Sequence, residues 1–389
     1  MSDLAVSPKA TLAADIEVRT VPLGGKLRDF LDVVDPIFAG DANYVRPLNF
    51  ELGERLDPKK NPFFEHAEGI LFTAHRAGRC VGRISAQIDR AHLEKYGDET
   101  AFFGFFDTID DPAVAAALLA KAEGWAREKG MKAIRGPFSL GINEETGCLV
   151  EGFDTPPSVM MPHHRAYQAG LIEGAGYVKE KDFFAWIYDV GEPHPRMAKA
   201  EAMVRAMPEV TLRHLEMKTL DADIRTCVDI FNDAWSDNWG SVALTEREAK
   251  KMAADMKLIL VPRLTRIVDI DGEPAAFAIG LPNLNELVAD LGGKLFPFGW
   301  LKLLVRLKWR PAKSGRLVLL GIRKKYRNVR KYAPVALHLI GAMNEGAKAF
   351  GITQAELSWT LEDNAAVNAA IRAVGARKYK VYRVFHKKL

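Results

Sequence analysis

Two adjacent carboxylates, Glu144 and Glu145, are followed at short range by two adjacent imidazoles, His163 and His164. Imidazole titrates near neutral pH without special help. A carboxyl reaches that range when it is desolvated or crowded by a like charge, and neighbouring glutamates crowd each other. Such groups are the usual agents of proton transfer to and from a bound reactant. Asn143 and Asp154 lie in the same stretch and are candidate substrate ligands. Six positions between Asn143 and Asp154 are glycine or acidic, which suits a loop that follows a strand and carries reactive groups. The plainer role for the glutamates is to shape that loop, and for the His-His pair to cap a helix.

A second kind of chemistry is anion binding. Between Leu291 and Asn344 there is no Asp or Glu, while thirteen Lys and Arg fall there. A field of that sign attracts nucleotide phosphate, anionic lipid or nucleic acid. Its densest part is Arg323-Lys-Lys-Tyr-Arg-Asn-Val-Arg-Lys331, directly after the apolar run Leu317 to Ile322. Arg327, Arg330 and Lys331 are candidate phosphate ligands, since charge-assisted hydrogen bonds are stronger than neutral ones. A solvated basic turn is the alternative. A third cluster, Phe231 to Gly240, sets Trp235 and Trp239 as apolar walls beside Asn232 and Asn238 as polar selectors. The same residues also suit a core at a helix end.

These residues need a scaffold. At 389 residues the chain is too long for one ordinary core, so two domains are expected, with 48% hydrophobic and 27% charged residues placing it among globular proteins. Three scattered cysteines, Cys80, Cys148 and Cys227, form neither a disulfide framework nor a metal-ligand pair, and point to a reducing cytoplasm. No export signal or spanning run is evident. Residues 1–20 read as a flexible lead-in. Residues 21–195 read as one α/β unit, with a hairpin around Ala77-Gly78-Arg79, a buried strand Ala101 to Asp107 and a helix Pro112 to Lys129 closed by Gly130. His163 to Gly174 reads as a further helix.

Residues 196–389 repeat that plan, around a hairpin at Asp271-Gly272 and a capping box at Thr245 and Glu248. The boundary is placed at Glu192-Pro-His-Pro-Arg196, because two prolines discourage regular structure. An insertion over 284–314 holds a helix within Phe296 to Arg310. Lys302, Arg306 and Arg310 stand four apart on it, a basic stripe expected to face lipid phosphate while the apolar body lies in a membrane interface. A helix covering its own core, with solvated charges, fits the same pattern.

The order strand, basic turn, helix, strand, Asn-bearing helix, strand over the last 75 residues resembles the acyl-CoA half of a GNAT-type N-acyltransferase. Glu356-Leu-Ser-Trp-Thr-Leu-Glu-Asp-Asn364, with Gly375 after it, carries most of that resemblance. It implies two α/β domains in tandem with mixed sheets, an acyl thioester lodged where two parallel strands splay, and pyrophosphate at the following helix start. Mapped here, Ile322, Arg327, Asn328, Arg330, Lys331 and Asn364 would hold acyl-CoA, the co-substrate, with no tightly bound cofactor or metal. Two departures stand out. The loop lacks the family's glycines, and the position of its usual tyrosine acid is Ile371. The first unit carries Asp107, Asp110 and Asp111 where a pyrophosphate would lie, so it is expected to serve the acceptor side.

Phrases along the chain narrow the resemblance to the bacterial ceramide synthase group: Asn61-Pro-Phe-Phe-Glu-His-Ala67, Val81-Gly-Arg-Ile84, Gly136-Pro-Phe-Ser139, Leu149-Val-Glu-Gly-Phe-Asp154 and Asn238-Trp-Gly240. That implies transfer of a fatty acyl group from acyl-CoA to the amine of a sphingoid base, with His163 or His164, or Glu144 or Glu145, taking the amine proton. It also implies a cytoplasmic protein in peripheral contact with the anionic inner face of the cytoplasmic membrane. The competing expectations are a soluble N-acyltransferase for an amino acid or peptide, and a non-catalytic lipid or acyl-CoA binding protein. Nucleic acid is not an expected partner, because the basic stretch has no recognition motif.

Overall fold

The computed structural model describes residues 15–257 and 259–389. The first compact unit contains β1 (Ile16–Val21), β2 (Ala67–Arg76), β3 (Arg79–Asp89), β4 (Thr100–Thr108), α1 (Pro112–Glu128) and β5 (Ala133–Gly136). Strands β1 to β4 pair antiparallel in sequence order, and β5 lies parallel to β4. On the far side of β5 runs the end of the chain, Phe385–Lys388, antiparallel. The unit ends at Asp182 and takes back Tyr382–Leu389.

Local chemistry explains these elements. Ala77 and Gly78 both adopt positive φ, 48° and 75°, the turn whose twist matches the paired strands. All nine residues of β4 are buried, which accounts for its almost unbroken apolar run. Val114, Leu118, Leu119, Ala122 and Ala126 of α1 recur at helical spacing and pack with Ile84, Phe103 and Phe106. Part of the lead-in expected over residues 1–20 is strand, since Ile16 to Thr20 belong to β1. Ile16 and Val18 alternate inward from β1 onto this core, and residues 1–14 lie outside those described.

The second unit spans Phe183–Val381. It contains most of β6 (Val178–Asp189), then β7 (Val210–Arg213), α2 (Leu220–Trp235), α3 (Glu246–Met256), β8 (Thr265–Ile270) and β9 (Glu273–Pro282). After these come α4 (Gly299–Trp309), β10 (Ser314–Ile322), α5 (Val335–Phe350), β11 (Gln354–Leu361), α6 (Ala365–Ala373) and most of β12 (Arg377–Lys388). Strands β7 to β10 pair antiparallel in order, β11 lies parallel to β10, and Phe183–Asp189 of β6 flanks β11. The strand plan of the first unit is thus repeated. The division falls within β6 rather than at Glu192–Arg196. The prolines there do interrupt regular structure, but Pro195 opens a helix that belongs to the second unit.

In each unit the central strand carries one extra residue. Gly104 faces Ser85 and Asp107 faces Arg83, so three steps of β4 oppose two of β3. Likewise Leu319 faces Ile279 but Leu317 faces Gly280, leaving Val318 extra in β10. A bulge bends and overtwists the strand that bears it. Pairing of β4 with β5 is confined to Thr100–Phe102, and that of β10 with β11 to Ser314–Leu317. Beyond those residues the parallel partners part.

The first unit fills its own opening. The Gln87 amide donates to Phe138 O and Leu140 O at 2.6 and 3.1 Å, and the Phe105 N–H to Ser139 Oγ at 3.4 Å. A Cβ on Gly104 would lie 1.8 Å from Phe138 O, so only glycine admits this backbone. Gly104→Ala is therefore expected to lower stability by ~3 kcal/mol or more, the upper end of overpacking, read as a lower midpoint in urea unfolding.

Candidate functional site

The second unit's opening is lined by side chains. The Trp235 indole N–H donates to Leu320 O at 3.2 Å, on the edge that β10 turns away from β11. Trp359 packs edge-on to Trp235 and Phe183, with ring centres 5.6 and 4.6 Å apart, and Trp239 packs on Phe183 at 5.9 Å. Trp235 and Trp239 are therefore joined through Phe183 and Trp359 in one half-buried aromatic wall. Asn232 serves the scaffold: its side chain donates to Leu244 O at 3.0 Å and accepts from Leu244 N–H at 2.9 Å, pinning the loop after α2. Asn238 donates its backbone N–H to Trp235 O in the same loop.

A buried polar cluster stands where the strands part. Arg316 and Glu356 face each other in the parallel register, one step before its end. The Glu356 carboxylate, 2% exposed, accepts from the Ser358 hydroxyl and from the Tyr379 hydroxyl. The Arg316 guanidinium donates to Ser358 Oγ at 2.8 Å and lies 3.6 Å from Glu356. Glu356 and Ser358 are two apart and so share one face of β11. From sequence alone this cluster carried no assigned role; the Glu-x-Ser alternation within β11 was its signal.

The basic turn follows β10. Within it Arg323 pairs with Asp229 at 2.5 Å, Lys324 with Asp237 at 2.6 Å, Lys331 with Glu209 at 2.6 Å, and Lys325 with Glu273. Arg327 donates to Ala234 O at 3.0 Å. The stretch that has no acids in sequence thus receives them from elsewhere in the unit, and its field is smaller than the count of thirteen cations implied. Arg330 and Asn328 remain exposed. Helix α5 begins after Pro334 with no side-chain cap, which leaves its first N–H groups available to an anion. Ile322 belongs to the sheet, where it pairs with Ala276. Asn364 caps α6, accepting from Val367 N–H at 3.3 Å.

In the insertion helix α4, two cations of the expected stripe are paired with an acid that the sequence places before the helix. Arg306 pairs with Asp290 at 2.5 Å and also donates to Leu287 O, and Lys302 joins the same carboxylate. These two cations tie α4 to the preceding turn while Lys302 stays exposed, and Arg310, the third of the stripe, is exposed as well. Phe296, Phe298, Trp300, Leu301, Leu304, Val305 and Trp309 are exposed, between 43% and 79%. Among the described residues no helix is long and apolar enough to cross a membrane.

Of the four proton-transfer candidates of the first unit, the two glutamates share one partner and each histidine has another. Glu144 and Glu145 each lie 3.3 Å from Arg55, whose guanidinium also stands 5.1 Å over the Phe105 ring. His163 meets Asp41 at 3.0 Å. Burial raises the Asp41 carboxyl, but hydrogen bonds from His163 and Asn43 N–H outweigh it and leave the group below its ordinary range. His164 accepts from Leu149 N–H through Nδ1 at 3.1 Å. Both histidines lie in extended chain before a helix that starts at Gln168, so the helix expected from His163 is shorter. Asn143 is half-buried in the loop and Asp154 is exposed.

Burial holds His164 neutral, pushing its pKa down to about 4. Unfolding exposes it to its ordinary value near 6.5. The unfolded chain therefore binds the extra proton between those values, and stability must fall as pH drops below about 6.5. Between pH 6.5 and 5 this one group removes ~2 kcal/mol. His164→Gln, which can still accept from Leu149 N–H, should flatten that slope in urea unfolding at pH 7, 6 and 5.

No protein-family profile matches the chain. It is 42% identical over 378 residues to a protein of Caulobacter vibrioides named "Bacterial ceramide synthase", covering 97% of this chain and 98% of that one. It is 40% identical over 372 residues to "Protein YghO" of Escherichia coli, covering 96% and 95%. Among solved structures, a tandem GNAT protein from the clavulanic acid biosynthesis pathway covers 96% of this chain and 98% of its own, with a TM-score of 0.57 at 12% identity. A GCN5-related N-acetyltransferase from Sphaerobacter thermophilus gives 0.54 at 12% identity, covering 96% of each chain. The likeness in fold agrees with two units built on one strand plan, each with a parted parallel pair. The chain belongs to the bacterial ceramide synthase family and is an N-acyltransferase of tandem GNAT architecture.

Proposed function

We propose that this enzyme moves a fatty acyl group from acyl-CoA to the amine of a sphingoid base or a closely related long-chain amine. The observation that carries the reading is the opening between β10 and β11, set beside an uncapped helix start and an exposed basic turn. A thioester needs three things from such a site. Its pyrophosphate needs donors, which the first N–H groups of α5 and the side chains of Arg327, Arg330 and Lys331 supply. Its pantetheine arm needs unpaired strand edge, which β10 and β11 offer beyond Leu317 and Leu357. Its acyl chain needs apolar surface, which Trp235, Trp239 and Trp359 provide.

The first unit lacks those provisions. Its opening is filled by residues 138–140, and Asp111 caps α1 by accepting from Ala113 and Val114 N–H, the groups a phosphate would use. The reading therefore assigns one acyl-CoA per chain, to the second unit. The long-chain nature of the amine is supported by the exposed apolar face of α4, because a water-insoluble amphiphile is collected from a bilayer. In this reading Trp300, Leu301, Leu304, Val305 and Trp309 enter the headgroup boundary, with exposed Lys294, Lys308 and Arg310 meeting anionic lipid.

Purified protein supplied with long-chain acyl-CoA and a sphingoid base should form the N-acyl product by mass spectrometry. Turnover only of short-chain thioesters with amino acids would favour the soluble acceptor instead. Arg327→Glu with Arg330→Glu should raise the KM for acyl-CoA about tenfold, the loss of ~1.4 kcal/mol expected for a charge-assisted contact. Unchanged kinetics would remove that turn from the site. Flotation with phosphatidylglycerol vesicles should be lost on Leu301→Ser with Leu304→Ser, and survive Lys302→Gln, whose cation is engaged with Asp290.

A further inference from the structure

The reaction needs a proton acceptor that the family's usual positions do not provide here. A long-chain amine arrives as an ammonium and attacks only once neutral, while Ile371 replaces the expected acid and carries no proton chemistry. In the second unit, the titratable and hydroxyl groups concentrated where the strands part are those of Glu356, Ser358 and Tyr379, with Arg316 among them. Their placement is unusual energetically. A buried carboxylate and guanidinium are costly to desolvate, and a core of apolar residues would serve stability as well or better. Holding them at the parting of the sheet therefore asks for a functional reason.

The hydroxyl of Ser358 has one proton and two lone pairs. The proton is given to Glu356, and one lone pair accepts from Arg316 Nε at 2.8 Å. The other lone pair remains. Ser358 is also the first residue of β11 beyond its last partner on β10, Leu357 facing Leu317. In the acyl-transfer reading, a thioester carbonyl lodged between those strands would lie beside this residue. Glu356 is fixed on both sides, by Ser358 at Oε1 and by Tyr379 at Oε2, with the Arg316 charge beside it. It is thus oriented to take a proton through the serine and not directly from substrate.

We propose that Ser358 is the catalytic proton acceptor for the amine, and that Glu356 is the positioning residue that receives the proton through it, held by Arg316 and Tyr379. The proposal rests on the acyl-transfer reading above. In the step, the ammonium gives one proton to Ser358 Oγ as the serine's own proton passes to Glu356. The freed nitrogen lone pair forms the N–C bond, and the C–S bond breaks with its electron pair on sulfur. A second N–H proton, made acidic in the adduct, ends on the sulfur to give the thiol. Glu356 then returns its proton to water, so the balance is one amide, one thiol and one released proton.

The test uses the full-length protein, a long-chain acyl-CoA and a sphingoid base, with rates followed from pH 6 to pH 10. Ser358→Ala should lower kcat by about 10²–10⁴-fold, the usual share of general base catalysis, with the KM for acyl-CoA changed less than about twofold. The deficit should shrink toward pH 10, where the amine is neutral without help. Glu356→Gln should lower kcat by a similar factor while leaving the KM for acyl-CoA within about twofold, a split that mere loss of packing does not produce. Because Ser358→Ala could unsettle the cluster, Ser358→Thr and Ser358→Val are compared as a pair. They add similar bulk and differ in the hydroxyl, so Thr should exceed Val by at least tenfold in kcat. An active wild type with a Thr/Val ratio near one overturns this inference alone. A wild type that forms no N-acyl product overturns the acyl-transfer reading, and this inference with it.

Discussion

One surplus residue in β10 decides what the second unit can do. Without Val318 the strand would stay in register with β9 and lie flat against β11 to its end. With it, the strand bends after Leu317 and leaves backbone N–H and C=O groups facing a gap. Buried polar backbone is costly unless paired. The gap must therefore be closed by something that hydrogen-bonds, whether a side chain, the chain itself or a ligand. The Trp235 indole on Leu320 O is a partial answer from the protein. An extended pantetheine arm, with its own amides, has the chemistry to complete it.

The first unit shows the same constraint met differently. Its bulge in β4 opens the same kind of gap, and residues 138–140 fill it with backbone tied to Gln87. Its acidic residues are put to structural use: Asp107 pairs with Arg83 at 2.7 Å and Asp111 with Arg76 at 2.6 Å. Asp111 also occupies the helix start as a cap, with the negative charge that the helix dipole favours there. The two units thus share one strand plan, and in the first the helix start is occupied by a carboxylate. What separates the copies is a glycine that admits backbone, Gly104, and a capping carboxylate that the Pro334 start of α5 does not have.

Much of this was legible in the chain. The hairpin at Ala77-Gly78, the buried run of β4, the capping box at Thr245 and the order of elements around α5 are local signals, and each appears as an element in its expected place. Residue partnerships were not legible, because they depend on segments far apart in sequence. Nothing near Glu144 and Glu145 announces Arg55, and nothing near His163 announces Asp41. The acid-free stretch from Leu291 to Asn344 looked strongly cationic for the same reason: its partners Asp229, Asp237, Glu209 and Glu273 lie outside it. Glu356 and Ser358 stood in the segment that carries the family resemblance, with no role of their own. Their meaning needed Arg316 and Tyr379 from two other strands.

The insertion helix shows the same long-range pairing at a surface. Read alone, α4 has a cationic stripe and an apolar body, and a helix of that kind usually turns its charges to water. A single acid, Asp290, changes the balance. Two cations on one carboxylate lower its proton affinity through Arg306 first and Lys302 second, so that part of the stripe is matched by an acid before the helix. The apolar residues Trp300, Leu301, Leu304, Val305 and Trp309 lie outside. Solvent-exposed aromatic and aliphatic side chains on one helix face are unfavourable in water and contribute nothing to folding. Their retention makes sense where the solvent on that side is an apolar boundary. Under the proposed membrane contact, the exposed Lys294, Lys308 and Arg310 would meet anionic lipid, so that attraction would add to apolar burial without drawing on the side chains paired with Asp290.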